Sequence, residues 1–195
     1  MELLFATGNP HKVTEVQYLL PKEIKIRTLH EIGINEEIPE TGKTLEENAL
    51  QKAEYVKKRI KGNVFAEDTG LEVKVLHNAP GVYSARYAGP QHDSRANLLK
   101  LLKEMEGQKD RTARFRTVIA LILNDEIHRF EGIVNGRIAE KASGKGGFGY
   151  DPVFIPEGFD RSFAELGDAV KSRISHRAQA MKKMISFLNT LRIQP

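Results

Sequence analysis

No feature of this sequence restricts its fold more than the alternation of short apolar segments with segments of helical periodicity. Met1–Ala6 is compact and apolar and predicts a buried first strand, which the turn residues of Thr7–Pro10 end. His11–Leu20 follows with apolar residues at helical spacing, and Ile24–Leu29 predicts a second strand. Strands interspersed with helices in this way predict an α/β fold with a mixed sheet.

The remaining strands are predicted from apolar runs of similar length. They are Val64–Ala66, Leu71–Leu76, Thr112–Leu123, Ile127–Val134 and Val153–Ile155. Glu67–Gly70 separates the first two, because two acidic residues and a glycine interrupt the apolar pattern. Thr112–Leu123 is the longest candidate, and Ile127–Val134 is expected to pair with it as an antiparallel strand.

Side-chain caps mark the starts of three further helices. Thr44 and Glu47 form a capping box, and Ser94 and Ser175 are the predicted caps of two later helices. The predicted apolar faces consist of Leu45, Ala49, Ala53, Val56 and Ile60 in the first helix and Met181, Ile185, Leu188 and Leu191 in the last. Lys52 is placed on a flank of the first of these helices rather than on its apolar face, together with Asn48.

Length and composition suit one domain or one compact two-lobed unit, since the chain has 195 residues of which 40% are hydrophobic. No stretch reaches the apolar length of a membrane span, so no membrane partner is expected. The N-terminus lacks the layout of a signal peptide, and the chain contains no cysteine. We therefore expect a cytoplasmic protein that uses neither disulfides nor thiol chemistry.

The charge balance leaves a non-enzymatic alternative open. Thirty Lys and Arg against 26 Asp and Glu give a net charge of +4 and a pI of about 9.2. Arg114, Arg116 and Lys57–Arg59 could belong to a nucleic-acid-binding domain. That interpretation leaves the carboxylate and glycine-rich segments unused, and carboxylates repel phosphates unless a metal is present. We therefore expect no nucleic-acid partner.

The turn Thr7–Gly8–Asn9–Pro10–His11–Lys12 is the first segment suited to ligand binding. It leads from a strand into a helix start, where free N–H groups and a partial positive charge can hold phosphate. Gly8 lets the backbone approach a ligand closely, and Thr7, Asn9 and Lys12 add hydrogen-bond donors. The segment lacks the ending and spacing of a Walker A loop, and an ordinary strand-to-helix turn would explain it equally well.

Carboxylates form the second group of candidate residues. Glu40 lies in an acidic loop, and Glu67–Asp68 follows a predicted strand, where α/β sheets tend to bind ligands. Hard cations such as Mg²⁺ take carboxylate oxygens and usually share them with substrate phosphates. Solvated loop acids are the alternative, which suits Glu36 and Glu37 better than Glu67–Asp68.

The glycine-rich loop Gly144–Pro152 is the third segment. It surrounds Phe148 and Tyr150 with glycines and includes Asp151, so that a planar ring could stack on either aromatic side chain. A flexible loop with core aromatics is the alternative explanation.

Lys171 and Ser175–His176–Arg177 form the fourth group, at and just before a predicted helix start. A histidine there is as easily a capping residue as a ligand, and a single His-Arg pair carries little information by itself. Pattern and spacing alone therefore indicate an anion-binding α/β enzyme and nothing narrower.

Taken together, these segments resemble the inosine triphosphate pyrophosphatase family, whose members remove non-standard purine nucleoside triphosphates. The matching segments are Ala6–Asn9 with Lys12, Pro39–Gly42 with Glu47–Ala49 and Lys52, Ala66–Leu71, Pro80–Tyr87, Gly147–Pro152, Lys171 and Ser175–Arg177. They cover nearly the whole chain in the family's order. Any one block could arise by chance, but the ordered set is highly specific.

The resemblance implies a reaction and an architecture. The reaction is the hydrolysis of ITP, dITP and XTP to the nucleoside monophosphate and pyrophosphate, with Mg²⁺ as the cofactor, which cleanses the nucleotide pool. The architecture is an elongated mixed β-sheet flanked by helices, with residues 1–195 forming one domain of two lobes and the nucleotide in a central cleft. The resemblance also implies a homodimer, which composition cannot show.

The resemblance further implies roles for individual residues. Asp68 would be the catalytic proton acceptor, and Glu40 and Asp68 would bind Mg²⁺. The implied substrate-binding residues are Thr7, Gly8, Asn9, Pro10, His11, Lys12, Lys52 and Thr69, followed by Phe148, Gly149, Tyr150, Asp151, Lys171, His176 and Arg177 around the base and sugar. Many bacterial members have Asp where this chain has Glu67, which leaves the metal-binding role of Glu67 open.

Substrate selection is expected to depend on the purine 6-position. Hypoxanthine and xanthine carry an oxygen there, to which Arg177 or a backbone N–H could donate, whereas adenine carries an amino group. How guanine, which also has a 6-oxygen, is rejected is not explained by the sequence. A pyrophosphatase for pyrimidine or methylated nucleotides would share the same cation chemistry, and only a panel of substrates separates the two.

Overall fold

The computed structural model describes residues 1–193, which divide into two compact units. The first unit contains Met1–Asp68, Thr117–Gly132 and the chain from Arg177 onward, and the second contains Thr69–Arg116 and Ile133–His176. Within residues 1–193, no helix combines the length and the apolar character needed to cross a membrane.

Residues 1–193 form seven strands and six α-helices. The strands are β1 (Glu2–Phe5), β2 (Lys25–Thr28), β3 (Val64–Val73), β4 (Ala79–Gly81), β5 (Thr112–Leu123), β6 (Glu126–Ile138) and β7 (Phe154–Pro156). The helices are α1 (Pro10–Leu19), α2 (Leu45–Lys57), α3 (Ser94–Glu104), α4 (Phe163–Leu166), α5 (Asp168–Ile174) and α6 (His176–Ile193). The strand order is β2-β1-β3-β5-β6-β7, with β4 paired to β3. Parallel and antiparallel pairs both occur, which confirms the predicted mixed α/β fold.

In the first unit, β1 is the central parallel strand. It pairs with β2 in the register Glu2↔Lys25 and with β3 in the register Leu4↔Val64. Its inward-facing residues Leu3 and Phe5 are completely buried, and the ring of Phe5 stacks on that of Phe65 at 4.4 Å. The core is completed by side chains from α1, β5 and α6, among them Val16, Ile119, Leu121, Met181, Met184 and Leu188.

In the second unit, β4 pairs antiparallel with the last part of β3, and β7 pairs antiparallel with the end of β6. The core of this unit contains Leu71, Leu101, Phe115, Ile138, Tyr150, Phe154 and Phe163. Helices α4 and α5 were not predicted from the sequence, because they span only four and seven residues, too few to establish a helical period.

The prediction of two strands around Glu67–Gly70 was wrong, because β3 runs without interruption from Val64 to Val73. Glu67 and Asp68 lie in the middle of this strand and are both buried. Each carboxylate has cationic partners, described below, and a buried charge that is paired does not have to interrupt a strand. The two acidic residues therefore belong to a group of buried, paired charges and do not end a strand.

Strands β5 and β6 are joined by Asn124 and Asp125, which both have positive φ angles of 49° and 67°. A two-residue connection of this kind joins antiparallel strands, as predicted for this pair. The bounds of β5 are those predicted, but β6 is the longest strand, with 13 residues against 12 in β5.

Some details of the helices differ from prediction. The capping box of Thr44 and Glu47 is confirmed, but α2 ends at Lys57, so Ile60 lies outside it. Asp93, one residue earlier than predicted, caps α3, since its carboxylate accepts from two backbone N–H groups. On α6, Leu191 is 39% exposed and does not belong to the buried face.

Candidate active site

The turn between β1 and α1 is organised by Asn9. Its Oδ1 accepts hydrogen bonds from the backbone N–H groups of His11 and Lys12 at 3.0 and 3.4 Å, which caps the helix. Pro10 occupies the first turn, where its missing N–H costs nothing, and Asn9 N–H donates to Thr7 Oγ1 at 3.2 Å. The local sequence therefore builds a helix start whose remaining N–H groups suit an anionic ligand.

Gly8 is exposed, and nothing lies within 4 Å of the position that a Cβ would occupy. Packing within the protein therefore does not require a glycine there. The predicted role of Gly8, a close approach of the backbone to a ligand, stays a prediction.

Buried and half-buried charges alternate in sign beside this turn. Lys12 Nζ lies 3.2 Å from Glu67 Oε1, and Arg177 donates Nε and Nη2 to the same carboxylate. Arg177 also donates Nη1 to Glu15 on α1. Burial acts to raise the pKa of the Glu67 carboxyl, but the charges of Arg177 and Lys12 outweigh it and hold that pKa well below its usual range.

A second cluster joins Glu40, Lys52 and Asp68. Lys52 Nζ donates to Asp68 Oδ1 at 3.1 Å and also to Glu40 Oε1, so that one ammonium lies between the two carboxylates predicted to bind metal. Burial acts to lower the pKa of Lys52, but the charges of Asp68 and Glu40 raise it. Lys52 is therefore charged in this position.

These two carboxylates fit Mg²⁺. Both converge on one cation, and Mg²⁺ is usually held by one or two protein carboxylates together with water and substrate phosphate oxygens. Among residues 1–193, no group of three or more His, Asp and Glu side chains is arranged to hold a metal ion. Water and substrate phosphate oxygens are the usual further ligands of a Mg²⁺ ion held by two carboxylates.

The buried Asp68 carboxyl lies among charges of both signs, those of Lys52, Lys12 and Glu40. Burial raises the pKa of its carboxyl, and Lys52 and Lys12 oppose that rise without cancelling it. A carboxylate that binds protons more readily than an exposed one is a better general base near neutral pH.

In the second unit, the glycine-rich loop is held by Asp151. The Asp151 Oδ2 accepts from the N–H of Phe148 at 2.8 Å and from Lys171 Nζ at 2.6 Å. Gly147 has a φ of 70°, and a Cβ there would collide with the Asp151 carboxylate, so that only glycine is accommodated. Lys171 Nζ also lies 4.6 Å from the centre of the half-exposed Phe148 ring, a cation–π distance.

The two aromatic residues of the loop differ in accessibility. Tyr150 is buried in the core of the second unit, and its hydroxyl donates to the carbonyl of Ser84 at 2.8 Å. Tyr150 is therefore a core aromatic residue, which was the alternative explanation for this loop. The ring of Phe148 is partly accessible. His176 is buried and stacks on Phe115, with ring centres 4.6 Å apart.

The predicted site residues therefore fall into two groups. The first unit contains Thr7, Gly8, Asn9, Pro10, His11, Lys12, Glu40, Lys52, Asp68 and Arg177, and the second contains Thr69, Phe148, Gly149, Tyr150, Asp151, Lys171 and His176. Arg177, which is assigned to the base and sugar with Lys171 and Asp151, donates to the carboxylates of Glu67 and Glu15 in this structure, and its role at the base stays a prediction.

Sequence reasoning did not assign roles to Glu15 or Asn48. Asn48 is completely buried and donates to Asp68, although it was placed on a flank of α2 with Lys52. The spacing of Asn48 and Lys52, four positions apart on one helix, was the signal that the two act on the same group.

The α/β fold and the helix start, lysines and carboxylates of the first unit are features of enzymes that act on phosphorylated substrates. The chain belongs to the Ham1 family, whose sequence profile matches residues 3–187. This match confirms the resemblance that was drawn from the ordered motifs.

Relatives and solved structures agree with this assignment over nearly the full length. A dITP/XTP pyrophosphatase from Porphyromonas gingivalis is 53% identical over 188 residues, covering 96% of this chain and 97% of that protein. One from Christiangramia forsetii is 50% identical over 189 residues, covering 97% and 100%. The Ham1 protein of Staphylococcus aureus superposes with a TM-score of 0.89 at 38% identity, covering 98% of this chain and 100% of that one.

Proposed function

We propose that this chain, a nucleoside-triphosphate pyrophosphatase of the Ham1 family, hydrolyses dITP, ITP and XTP to the monophosphate and pyrophosphate in a reaction that requires Mg²⁺. The observation that carries the proposal is the convergence of Glu40 and Asp68 on the ammonium of Lys52. Two carboxylates and a lysine arranged in this way suit an ion shared with a phosphate chain. The names of the relatives support the choice of dITP and XTP.

The triphosphate is assigned to the helix start of α1 and to the lysines near it. The N–H groups after Asn9 and the ammonium groups of Lys12 and Lys52 supply positive charge and donors. Positioning and charge neutralisation are the main contributions that a protein makes to phosphoryl transfer. Glu40 and Asp68 would hold the Mg²⁺ ion, which when bound neutralises charge on the phosphate oxygens.

Asp68 is assigned as the proton acceptor. A water oxygen forms a bond to the α-phosphorus as the bond from that phosphorus to the pyrophosphate oxygen breaks, and the proton of the water passes to Asp68. The position of Asp68 supports this role, since its buried carboxylate lies with that of Glu40 on the Lys52 ammonium, where the phosphate chain and the Mg²⁺ ion are assigned.

The base is assigned to the glycine-rich loop of the second unit. Phe148 offers the accessible ring for stacking, and Asp151 and Lys171 hold the loop in shape. Since the guanidinium of Arg177 is engaged with Glu67 and Glu15, the donor for the purine 6-oxygen is assigned to a backbone N–H of the loop. A donor fixed by the backbone discriminates against the 6-amino group of adenine.

The test is to incubate the purified protein with Mg²⁺ and one of ITP, XTP, GTP, ATP or dUTP, and to resolve the products by phosphorus NMR. We expect monophosphate and pyrophosphate, formed much faster from ITP and XTP than from GTP or ATP. Orthophosphate with diphosphate, equal rates on all purines, or a preference for dUTP would contradict the proposal. Omission of Mg²⁺ should abolish turnover, and light scattering of the same sample tests the proposed homodimer.

The nucleic-acid alternative has less support in the structure than in the sequence. Arg114 and Arg116 both donate to the carboxylate of Glu72, at 2.6 and 3.2 Å. Lys57 pairs with Asp125 at 2.9 Å. Cations that are paired with carboxylates attract a phosphate backbone less than isolated ones.

A further inference from the structure

Asn48 joins the loop that carries Glu40 to the side chain of Asp68. It is completely buried on the second turn of α2. Its Oδ1 accepts from the backbone N–H of Gly42 at 2.8 Å, and its Nδ2 donates to Asp68 Oδ2 at 3.1 Å. One amide therefore bridges two groups that are 26 positions apart in the chain.

The orientation of this amide is determined by its surroundings. The backbone N–H of Gly42 can only donate, so the Asn48 oxygen must face it. The NH₂ group then faces Asp68, which as a carboxylate can only accept. The opposite orientation would set donor against donor and acceptor against acceptor.

Asp68 thus receives one donor on each of its oxygens. Lys52 donates to Oδ1 and Asn48 to Oδ2, and both donors come from successive turns of the same side of α2. A carboxylate held at both oxygens by one rigid helix cannot rotate freely. The direction of its remaining lone pairs is therefore set by α2.

The loop on the other side of Asn48 is packed tightly on the helix. A Cβ at Gly42 would lie 2.6 Å from the Cβ of Glu47 and 2.7 Å from Asn48 Oδ1, so there is no room for a side chain. Gln51 also holds this loop. Its Oε1 accepts from the N–H of Thr41 at 2.9 Å, and its Nε2 donates to the Thr41 hydroxyl at 2.8 Å. Asn48 and Gln51 therefore both hold the loop by hydrogen bonds. Of these two residues, only Asn48 is also hydrogen-bonded to Asp68.

We propose that Asn48 is a positioning residue for the pyrophosphatase reaction, which orients the Asp68 carboxylate and sets its place relative to Glu40. The proposal rests on the function proposed above, in which Asp68 accepts the proton of the attacking water. Asn48 itself need not touch the substrate. Asn48 contributes to turnover, because it fixes the direction of the Asp68 carboxylate. It does not contribute to substrate affinity.

The decisive variant is Asn48→Asp, which has the same shape. Its carboxylate can still accept from Gly42 N–H, but it presents an acceptor to Asp68 in place of a donor. Asn48→Ala removes both bonds, and Gln51→Ala is the matched control, which loosens the loop from the same helix without touching Asp68. The measurements are kcat and KM with ITP, the thermal midpoint, and hydrogen exchange of the Gly42 amide.

We expect kcat to fall at least about tenfold in Asn48→Asp and Asn48→Ala, as for the loss of a group that orients a general base, with KM within about threefold of wild type. Gln51→Ala should keep kcat within about twofold. The Gly42 amide should stay protected in Asn48→Asp and Gln51→Ala and exchange faster in Asn48→Ala.

A near wild-type kcat in Asn48→Asp, or an equal loss of kcat in Gln51→Ala and Asn48→Ala, would overturn the proposal and reduce Asn48 to a structural role. If Asn48→Asp does not fold, Asn48→Ala and Gln51→Ala are compared instead. A larger loss of kcat in Asn48→Ala supports the proposal, and an equal loss overturns it. A wild-type protein that hydrolyses no nucleoside triphosphate would instead refute the proposed function, and this inference with it.

Discussion

Arg177 donates Nε and Nη2 to the carboxylate of Glu67 at 2.8–3.1 Å, and each of the two side chains is 1% exposed. The two residues are 110 positions apart in the chain. Lys12 and Glu15 extend the pair into a row of charges that alternate in sign. Removal of Arg177 leaves the buried carboxylate of Glu67 with the half-buried Lys12 as the cation described beside it, and this compensates the charge less well.

Arg177→Met is therefore expected to destabilise the protein by about 3–5 kcal/mol, the usual cost of breaking a buried ion pair from one side. Arg177→Lys should lower the free energy of unfolding by less, because it keeps the charge and loses only the bidentate contact with Glu67. Urea unfolding followed by circular dichroism measures both. Arg59→Met is the matched control, since the Arg59 guanidinium is exposed and lies over the ring of Tyr55. Similar losses in Arg59→Met and Arg177→Met would contradict this account.

Asp68→Asn should lower kcat for ITP by at least about a hundredfold, because an amide cannot accept the proton of the attacking water. The substitution preserves the shape of the side chain. Asp125→Asn, an exposed aspartate paired with Lys57, is the control and should retain full activity. Near wild-type turnover in Asp68→Asn would remove Asp68 from the mechanism.

We expect Lys52 to compete with a metal ion for the carboxylates of Glu40 and Asp68. In the structure the Lys52 ammonium bonds to one oxygen of each carboxylate, and we expect its positive charge to repel a divalent cation there when no nucleotide is bound. Lys52→Gln should therefore bind Mn²⁺ at least about tenfold more tightly than wild type when no nucleotide is present, a gain of about 1.4 kcal/mol. Calorimetric titration with Mn²⁺ measures this.

The same variant should also gain more thermal stability from the metal, since a ligand that binds only the folded state stabilises it. Lys57→Gln, whose lysine pairs with Asp125, is the control and should bind Mn²⁺ as wild type does. Equal or weaker Mn²⁺ binding in Lys52→Gln would show that the ammonium and the metal do not compete.

Substitutions of Phe148 and Tyr150 should have different effects on KM for ITP. Phe148→Ala is expected to raise KM for ITP about fivefold or more, because base stacking on an aromatic side chain contributes about 1–3 kcal/mol. Tyr150→Phe removes only the buried hydroxyl that donates to Ser84, so it should cost about 1 kcal/mol of stability and leave KM unchanged. A raised KM in Tyr150→Phe with no effect in Phe148→Ala would reverse the assignment.

Local patterns in the sequence predicted much of the fold. The capping box of Thr44 and Glu47, the bounds of β5 and the helix start after Asn9 all depend on residues within a few positions of one another. Hydrogen bonds and periodicity at that range can be predicted from the chain alone. The ordered motifs likewise led to the family, because they depend on residue identity and not on contacts.

Tertiary structure decided what the charged residues do. Glu67 and Asp68 looked like the end of a strand, yet they lie in the middle of β3, because Arg177, Lys12 and Lys52 neutralise them there. Arg177 pairs with Glu67, a contact that no local pattern around Arg177 predicted. The free energy of a buried charge depends on partners that folding brings from distant parts of the chain, and no local pattern encodes which partners those are.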